Sequence, residues 1–152
     1  MTGQKSENNY CSHCKRYFNR ALSIDALIVH EGKILLIYRL EEPYKNCWAI
    51  PGGHVDYNET VEDAVVREVK EETNLSVTKL KFFNIYSSPS RHPLQTVAVA
   101  YVVDAVGTPQ AGSDASRFEY WSLNALPSPL AFDHQKIIAD YRLAVSHSTG
   151  NS

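Results

Sequence analysis

The segment Thr60 to Leu75, TVEDAVVREVKEETNL, limits the fold of this chain more than any other stretch. Thr60 followed three residues later by Asp63 has the form of a capping box, with Asp in place of the usual Glu, and predicts a helix from about Val61 to Glu72. Glu62 and Asp63 complement the positive end of that helix. Val61, Val65 and Val69 share one stripe at helical spacing, and that stripe has to face a core. With Val65 at zero, Glu72, Glu68 and Glu71 fall at roughly −20°, −60° and −120° around the helix. Acids therefore crowd one edge of a packed face. Buried unpaired carboxylates are costly, and close like charges raise one another's pKa, so a positive counter-charge is required. Mg²⁺ suits the position because it favours a few carboxylate oxygens together with water and phosphate. The alternative is a solvated helix face on which Arg67 and Glu71 form an ordinary i,i+4 ion pair.

The remainder of the chain bounds what can surround this helix. Its 152 residues correspond to one domain, enough to bury roughly two-thirds of the surface of the unfolded chain. Fifteen Lys and Arg against seventeen Asp and Glu give a net charge of −2, without the basic stripe of a phosphate-tracking nucleic-acid binder. No nucleic-acid partner is expected, whereas a small phosphorylated ligand needs only a few local cations. No apolar run approaches the roughly 18 residues of a membrane span, and the polar N-terminus lacks a secretory core. Cys11, Cys14 and Cys47 are too few for a disulfide framework. These features place the protein in the cytoplasm, with no membrane partner.

Strands dominate elsewhere. Ile24–Val29 and Lys33–Tyr38 flank His30-Glu31-Gly32 as a hairpin, and Cys47–Ile50 is a short strand stopped by Pro51-Gly52-Gly53. Lys79–Tyr86, Gln95–Val103 and Phe118–Leu123 are further strands. Asp133 is positioned to cap a last helix, in which Ile137, Ile138, Tyr141 and Val145 keep helical spacing. Two helices covering a mostly β chain predict an α+β domain with a mixed central sheet flanked by helices. Residues 1–20 form an N-terminal segment, 21–146 the domain itself, and 147–152 a disordered tail.

The residues leading into and through the acidic helix form a longer pattern. Gly53 is followed after five residues by Glu59, and after seven more by Arg67-Glu68-Val69-Lys70-Glu71-Glu72-Thr73-Asn74-Leu75. This resembles the Nudix box, G-x5-E-x7-R-E-U-x-E-E-x-G-U with U apolar, at every defined position except the second glycine, which is Asn74. Asn is the commonest substitute for glycine in the left-handed conformation at a helix end. The resemblance implies an α/β/α sandwich with a loop–helix–loop catalytic motif. It implies Mg²⁺, with Mn²⁺ as a substitute, held by Glu68, Glu71 and Glu72 and the Gly53 carbonyl. Arg67 becomes the orienting residue and Glu59 a support for the loop. The implied chemistry is metal-assisted attack of water on phosphorus.

Outside the box, Lys33–Arg39, Glu42-Pro43, Trp48–Gly53, Tyr86–Pro89, Ala111–Asp114 and Leu130–Lys136 resemble the ADP-ribose pyrophosphatase branch of the family. That branch implies ADP-ribose cleaved to AMP and ribose 5-phosphate. The alternatives are a MutT-like hydrolase of a normal or oxidised (d)NTP and a regulatory domain that senses a nucleotide sugar. Arg39, Tyr44, Arg91 and His134 are the candidate substrate-binding residues. Each also has a plain structural reading, as surface charge, core packing or local hydrogen bond. The general base is left among Glu68, Asp114 and Glu119. Cys11 and Cys14 resemble one knuckle of a zinc ribbon, but structural Zn²⁺ wants four ligands. His13 or Cys47 could add to the pair, or a homodimer could share one ion; otherwise the pair is two reduced thiols.

Overall fold

The computed structural model describes residues 9–112 and 115–149. A small hairpin, β1 (Tyr10–Cys11) and β2 (Arg16–Tyr17), precedes the main sheet. The sheet is built from β3 (Leu22–His30), β4 (Lys33–Arg39), β5 (Trp48–Ala49), β6 (Gly52–His54), β7 (Ser76–Tyr86), β8 (Val97–Val106) and β9 (Ala115–Ser122). Two helices complete the fold, α1 (Val61–Thr73) and α2 (His134–Ser148), with a 3₁₀ turn at Pro89–Arg91. The expected hairpin is present. His30 pairs with Lys33 across Glu31 and Gly32, at φ of 48° and 72°, which is the left-handed pair a two-residue turn requires.

The sheet is mixed. β3 runs parallel to β8 from Leu22 to Ile28, while the other strand pairs are antiparallel. On its other edge β3 is shared. Ser23–Asp25 pair with β6, and Val29–His30 pair with β4. The strand expected over Cys47–Ile50 is β5, and Pro51, which cannot donate to a ladder, ends it. Gly52 and Gly53, expected as part of the stop, instead begin a further strand, β6, on a different partner.

Alternation along the strands divides the core. Ile24, Ala26, Ile28 and Leu35 pack with Ala64, Val65 and Val69 of α1. Leu27, Ile34, Leu36, Trp48 and Ile50 pack with Ile137 and Ile138 of α2. The result is the expected α/β/α sandwich. Among the described residues no helix is long and apolar enough to cross a membrane.

Three terminal details differ from expectation. β1 begins at Tyr10, so the N-terminal segment carries strand structure that was not expected there. α2 runs to Ser148, past the expected start of the tail. Asp133 occupies the N-cap position without a side-chain cap bond, because Arg91 takes its carboxylate.

Both ends of α1 follow local chemistry. Thr60 Oγ1 accepts the Asp63 N–H at 3.0 Å, and Asp63 Oδ2 accepts the Thr60 N–H at 3.4 Å. Asn74 closes the helix at φ 61°, with its N–H on the Lys70 carbonyl. Left-handed backbone costs a residue with a Cβ roughly 1–2 kcal/mol unless a short polar side chain offsets it. Asn74→Ala should therefore lower unfolding free energy by about 1 kcal/mol, while Asn74→Gly stays within about 0.5 kcal/mol of the parent, both read by urea denaturation. Equal losses in the two variants would refute the conformational argument.

Candidate active site

Arg67 is the hub of the acidic face. Its Nε and Nη2 donate to Glu59 at 3.0 and 2.6 Å, its Nη1 to Glu68 at 2.7 Å and Glu71 at 3.2 Å, and its Nη2 also to the His54 carbonyl at 2.9 Å. The i,i+4 pair with Glu71 exists, but as one arm of a larger network. Glu59 further accepts the Asp56 N–H at 2.7 Å, which closes the loop before α1. The Arg67 hydrogen bonds, aided by the Asp56 N–H, hold the Glu59 carboxyl down to about 2. Its partners, Glu59 first, hold Arg67 above the ordinary guanidinium value. Burial pushes Glu68 above the usual carboxylate range, although Arg67 pulls the other way.

Two glycines let the helix carboxylates lie against the sheet. A Cβ on Gly53 would overlap the Glu68 carboxylate, and one on Gly52 would overlap the Ile24 carbonyl oxygen. The Gly52 N–H donates to Glu72 Oε2 at 2.9 Å. Glu68 is largely buried, whereas the Glu71 side chain is 59% exposed. The helical wheel anticipates that order.

A hollow of about 290 Å³ opens beside these groups, lined by Glu68, Glu72, Glu41, Asp56, Arg39 and Gly53. A second, of about 220 Å³, shares Arg39, Gly52, Gly53 and His54 with it and runs inward to Asp25, Phe132 and His134. Among the described residues no three His, Cys, Asp or Glu side chains form a ready metal cage. Glu68 is engaged by Arg67, and Glu72 by the Gly52 N–H. Hard carboxylate oxygens around an open, polar hollow nevertheless suit Mg²⁺, which keeps several waters and binds through one or two carboxylates.

The remaining candidates separate clearly. Arg39 lines both hollows, with its Nε on the Pro43 carbonyl at 3.0 Å and its guanidinium over the Phe132 ring. Tyr44 packs on Phe132 at 4.6 Å and is absent from the lining of either hollow. Trp48 is core. Arg91, expected to reach a ligand or face water, is 5% exposed and clamps Asp133 with Nε and Nη2 while Nη1 meets the Thr96 carbonyl. His134 is buried, accepts the Ile50 N–H on Nδ1 and lines the inner hollow.

Glu119 does not join the acids. It pairs with Leu36, whose side chain belongs to the α2 face, so its register places it on the side of the sheet opposite α1. Asp114 lies outside the described residues. Of the candidate bases, Glu68 is the one the described structure brings to the cleft. Sequence reasoning missed Asp25, Glu41, Glu42, His54 and Asp56 as lining residues. Only Asp25 carried a signal, as a lone charge inside the apolar run of β3.

At the N-terminal hairpin, Cys11 Sγ accepts the Cys14 N–H at 3.5 Å, and hydrogen bonds from Cys14 lower the Cys11 thiol pKa. Both thiols are exposed, and among the described residues no third ligand completes a metal site.

Comparison with known proteins gives a consistent picture. The family model "NUDIX domain" matches residues 19–141. The chain is 46% identical over 127 residues to an ADP-ribose pyrophosphatase of Methanocaldococcus jannaschii, covering 82% of this chain and 75% of that one. It is 30% identical to an NAD-capped RNA hydrolase NudC of Pectobacterium atrosepticum over 78% of this chain, and spans 47% of that relative's length. Among solved structures, the NUDIX domain of Shewanella oneidensis NrtR, complexed with ADP ribose, superposes with a TM-score of 0.74 at 26% identity, covering 95% of this chain and 99% of that one.

The Glu59–Arg67 clamp makes a signed prediction. A carboxyl whose pKa falls on folding from 4.5 to about 2 stabilises the fold above pH 4.5, and that contribution is lost as the pH falls toward about 2. Melting temperatures of the parent should therefore drop faster than those of Glu59→Gln across this window, and the two profiles should converge at the acid end. Parallel profiles would show that the clamp contributes nothing to the fold.

Proposed function

The chain belongs to the Nudix family, and on that premise we propose that it hydrolyses a phosphoric anhydride in a nucleoside diphosphate linked to a second group, with ADP-ribose cleaved to AMP and ribose 5-phosphate. The observation that carries this reading is the continuity of the cleft. The acidic hollow under Glu68 and Glu72 opens through Arg39, Gly52, Gly53 and His54 into an inner hollow with an aromatic and polar lining. A diphosphate in the first would leave one of its organic groups in the second. The likeness to an ADP-ribose pyrophosphatase supports this choice of substrate.

In this reading Glu68 and Glu72 would hold a divalent cation, Mg²⁺ or Mn²⁺, with Glu71 and the Gly53 carbonyl as further donors, and the cation would supply charge neutralisation and lower the pKa of water. Arg67 keeps the Glu68 carboxylate against Gly53, and Glu59 keeps Arg67 in place. Arg39 stands where the two hollows meet, with a guanidinium suited to fork onto phosphoryl oxygens. Water oxygen bonds to one phosphorus, its proton passes to a carboxylate of the cleft, and the bridging P–O bond breaks with its electron pair on the departing phosphate. Glu68 is the acid best placed to accept that proton, since it lines the hollow and burial raises its proton affinity, although Arg67 pulls the other way.

Turnover of ADP-ribose should require Mg²⁺ or Mn²⁺ and stop with a chelator. Glu68→Gln and Glu72→Gln should each lower kcat/KM by roughly 100-fold or more, since several kcal/mol of transition-state stabilisation is at stake. Glu71→Gln should cost less, because its carboxylate is the exposed one. Undiminished turnover in the first two variants would sink the mechanism. The likeness to NudC makes NADH the arm to set beside ADP-ribose. A higher kcat/KM on NADH, or on an oxidised or ordinary dNTP, would move the assignment to that substrate. Tight binding without turnover of any of them would favour a sensing domain.

A further inference from the structure

Asp25 is an acid on a strand where its neighbours Ile24 and Ala26 are fully buried. Its side chain is 9% exposed and lines the inner hollow. The Arg91 cation compensates its charge and His134 faces it, but neither completes its hydrogen bonding. His134 accepts the Ile50 N–H on Nδ1 at 2.9 Å, which makes Nε2 the protonated nitrogen, 3.4 Å from Asp25 Oδ1. Arg91 directs well-formed hydrogen bonds to Asp133 and to the Thr96 carbonyl, and its Nη2 stands 3.5 Å from Asp25 Oδ2. Oδ2 is buried and has no hydrogen-bond donor among the described residues. Buried acceptors are almost always matched, and an exception on a cavity wall calls for a donor from outside the chain.

We infer that Asp25 is a specificity-determining residue of the substrate site, with Oδ2 accepting a hydrogen bond from an O–H or N–H group of the moiety that enters the inner hollow. Oδ2 can only accept, so the group that faces it has to be a donor, while the fixed charges of the lining balance, Asp25 and Glu42 against Arg39 and Arg91. Phe132, stacked on His92 at 5.1 Å and 6°, supplies a flat apolar wall beside it. Burial, with Arg91 nearby, pushes the His92 ring below its usual value and so toward the neutral form. A pentose hydroxyl and the exocyclic amine of a purine share the required chemistry. The inference rests on the cleft being the substrate site proposed above.

Asp25→Asn keeps the shape of the side chain and removes its charge. Its effect should depend on whether the substrate carries the donor. ADP-ribose would be compared with inosine diphosphate ribose, which lacks the amine, and with deoxy analogues lacking single ribose hydroxyls. For the parent, loss of the recognised donor should raise KM or Kd by roughly 10- to 100-fold, the scale of a hydrogen bond to a charged acceptor. Asp25→Asn should show a rise of similar size on ADP-ribose with kcat within about twofold, and no further rise on the analogue without that donor. The analogue that behaves this way identifies the source of the donor. Equal losses on every substrate, with a lowered melting temperature, would make Asp25 only a counter-ion for Arg91 and a structural partner of His134. A parent that does not discriminate among the analogues would overturn the inference without reference to the variant. Kd values by calorimetry keep the two readings apart. Donor-dependent binding without hydrolysis overturns the hydrolase and retains Asp25, whereas hydrolysis without donor dependence does the reverse. Absence of both binding and turnover overturns the two together.

Discussion

The guanidinium of Arg67 meets Glu59, Glu68, Glu71 and the His54 carbonyl, and so ties two turns of α1 to the loop that leads into the helix. Isolated surface ion pairs contribute little, but a forked guanidinium in a partly buried network is fixed in geometry as well as in charge. Without this cation, Glu68 would be a desolvated carboxylate beside the like charges of Glu71 and Asp56. The position of Glu68 against Gly53, the shape of the Asp56–Glu59 loop and the mouth of the acidic hollow all follow from that one side chain.

The cleft owes its depth to the divided pairing of β3. Because β3 is partnered by β6 over Ser23–Asp25 and by β4 only near its far end, the sheet opens between β4 and β6. Gly52 and Gly53 line that opening, and their lack of side chains brings Glu68 and Glu72 onto the backbone of β6. Any larger residue at Gly53 would displace the acid that the helix presents. The same divided strand carries Asp25 into the inner hollow, so one irregularity of pairing supplies the floor of both hollows.

How much of this was legible beforehand depended on sequence distance. The capping box, the valine stripe, the order of exposure of the glutamates, the left-handed Asn74 and the Glu31-Gly32 turn are set within a few residues, and each was readable. Glu119 was not, because its role depends on strand parity, and one step of register exchanges the two faces of a sheet. The bond between Arg91 and Asp133 was hidden, although Asp133 does hold the N-cap position and Arg91 does line the inner hollow. A loop arginine and a helix-capping aspartate are reasonable local readings, but 42 residues of sequence separate partners that are directly bonded. Asp25 and His134 likewise meet only through the tertiary fold, and their significance could not be seen on either segment alone.

Asn74 shows why the single departure from the box pattern does not weaken the site. Its backbone does what a glycine would do, turning left-handed at φ 61° to end α1. Its side chain adds something a glycine cannot, a bond from Nδ2 to the Thr108 carbonyl at 3.3 Å. That contact belongs to a set. The Gln110 N–H meets the Thr73 carbonyl at 2.8 Å and the Gly112 N–H meets the Glu72 carbonyl at 3.0 Å, so Gln110 and Gly112 supply donors to a helix end whose last carbonyls have no partners within the helix. A Cβ on Gly112 would overlap the Glu71 carbonyl oxygen, which makes the approach as close as backbone allows. The last turn of α1, which carries Glu71 and Glu72, is thus fixed from its C-terminal side by this loop and from its N-terminal side by Arg67 and Glu59. Exchange of glycine for asparagine adds a tether to the catalytic helix while leaving its termination unchanged.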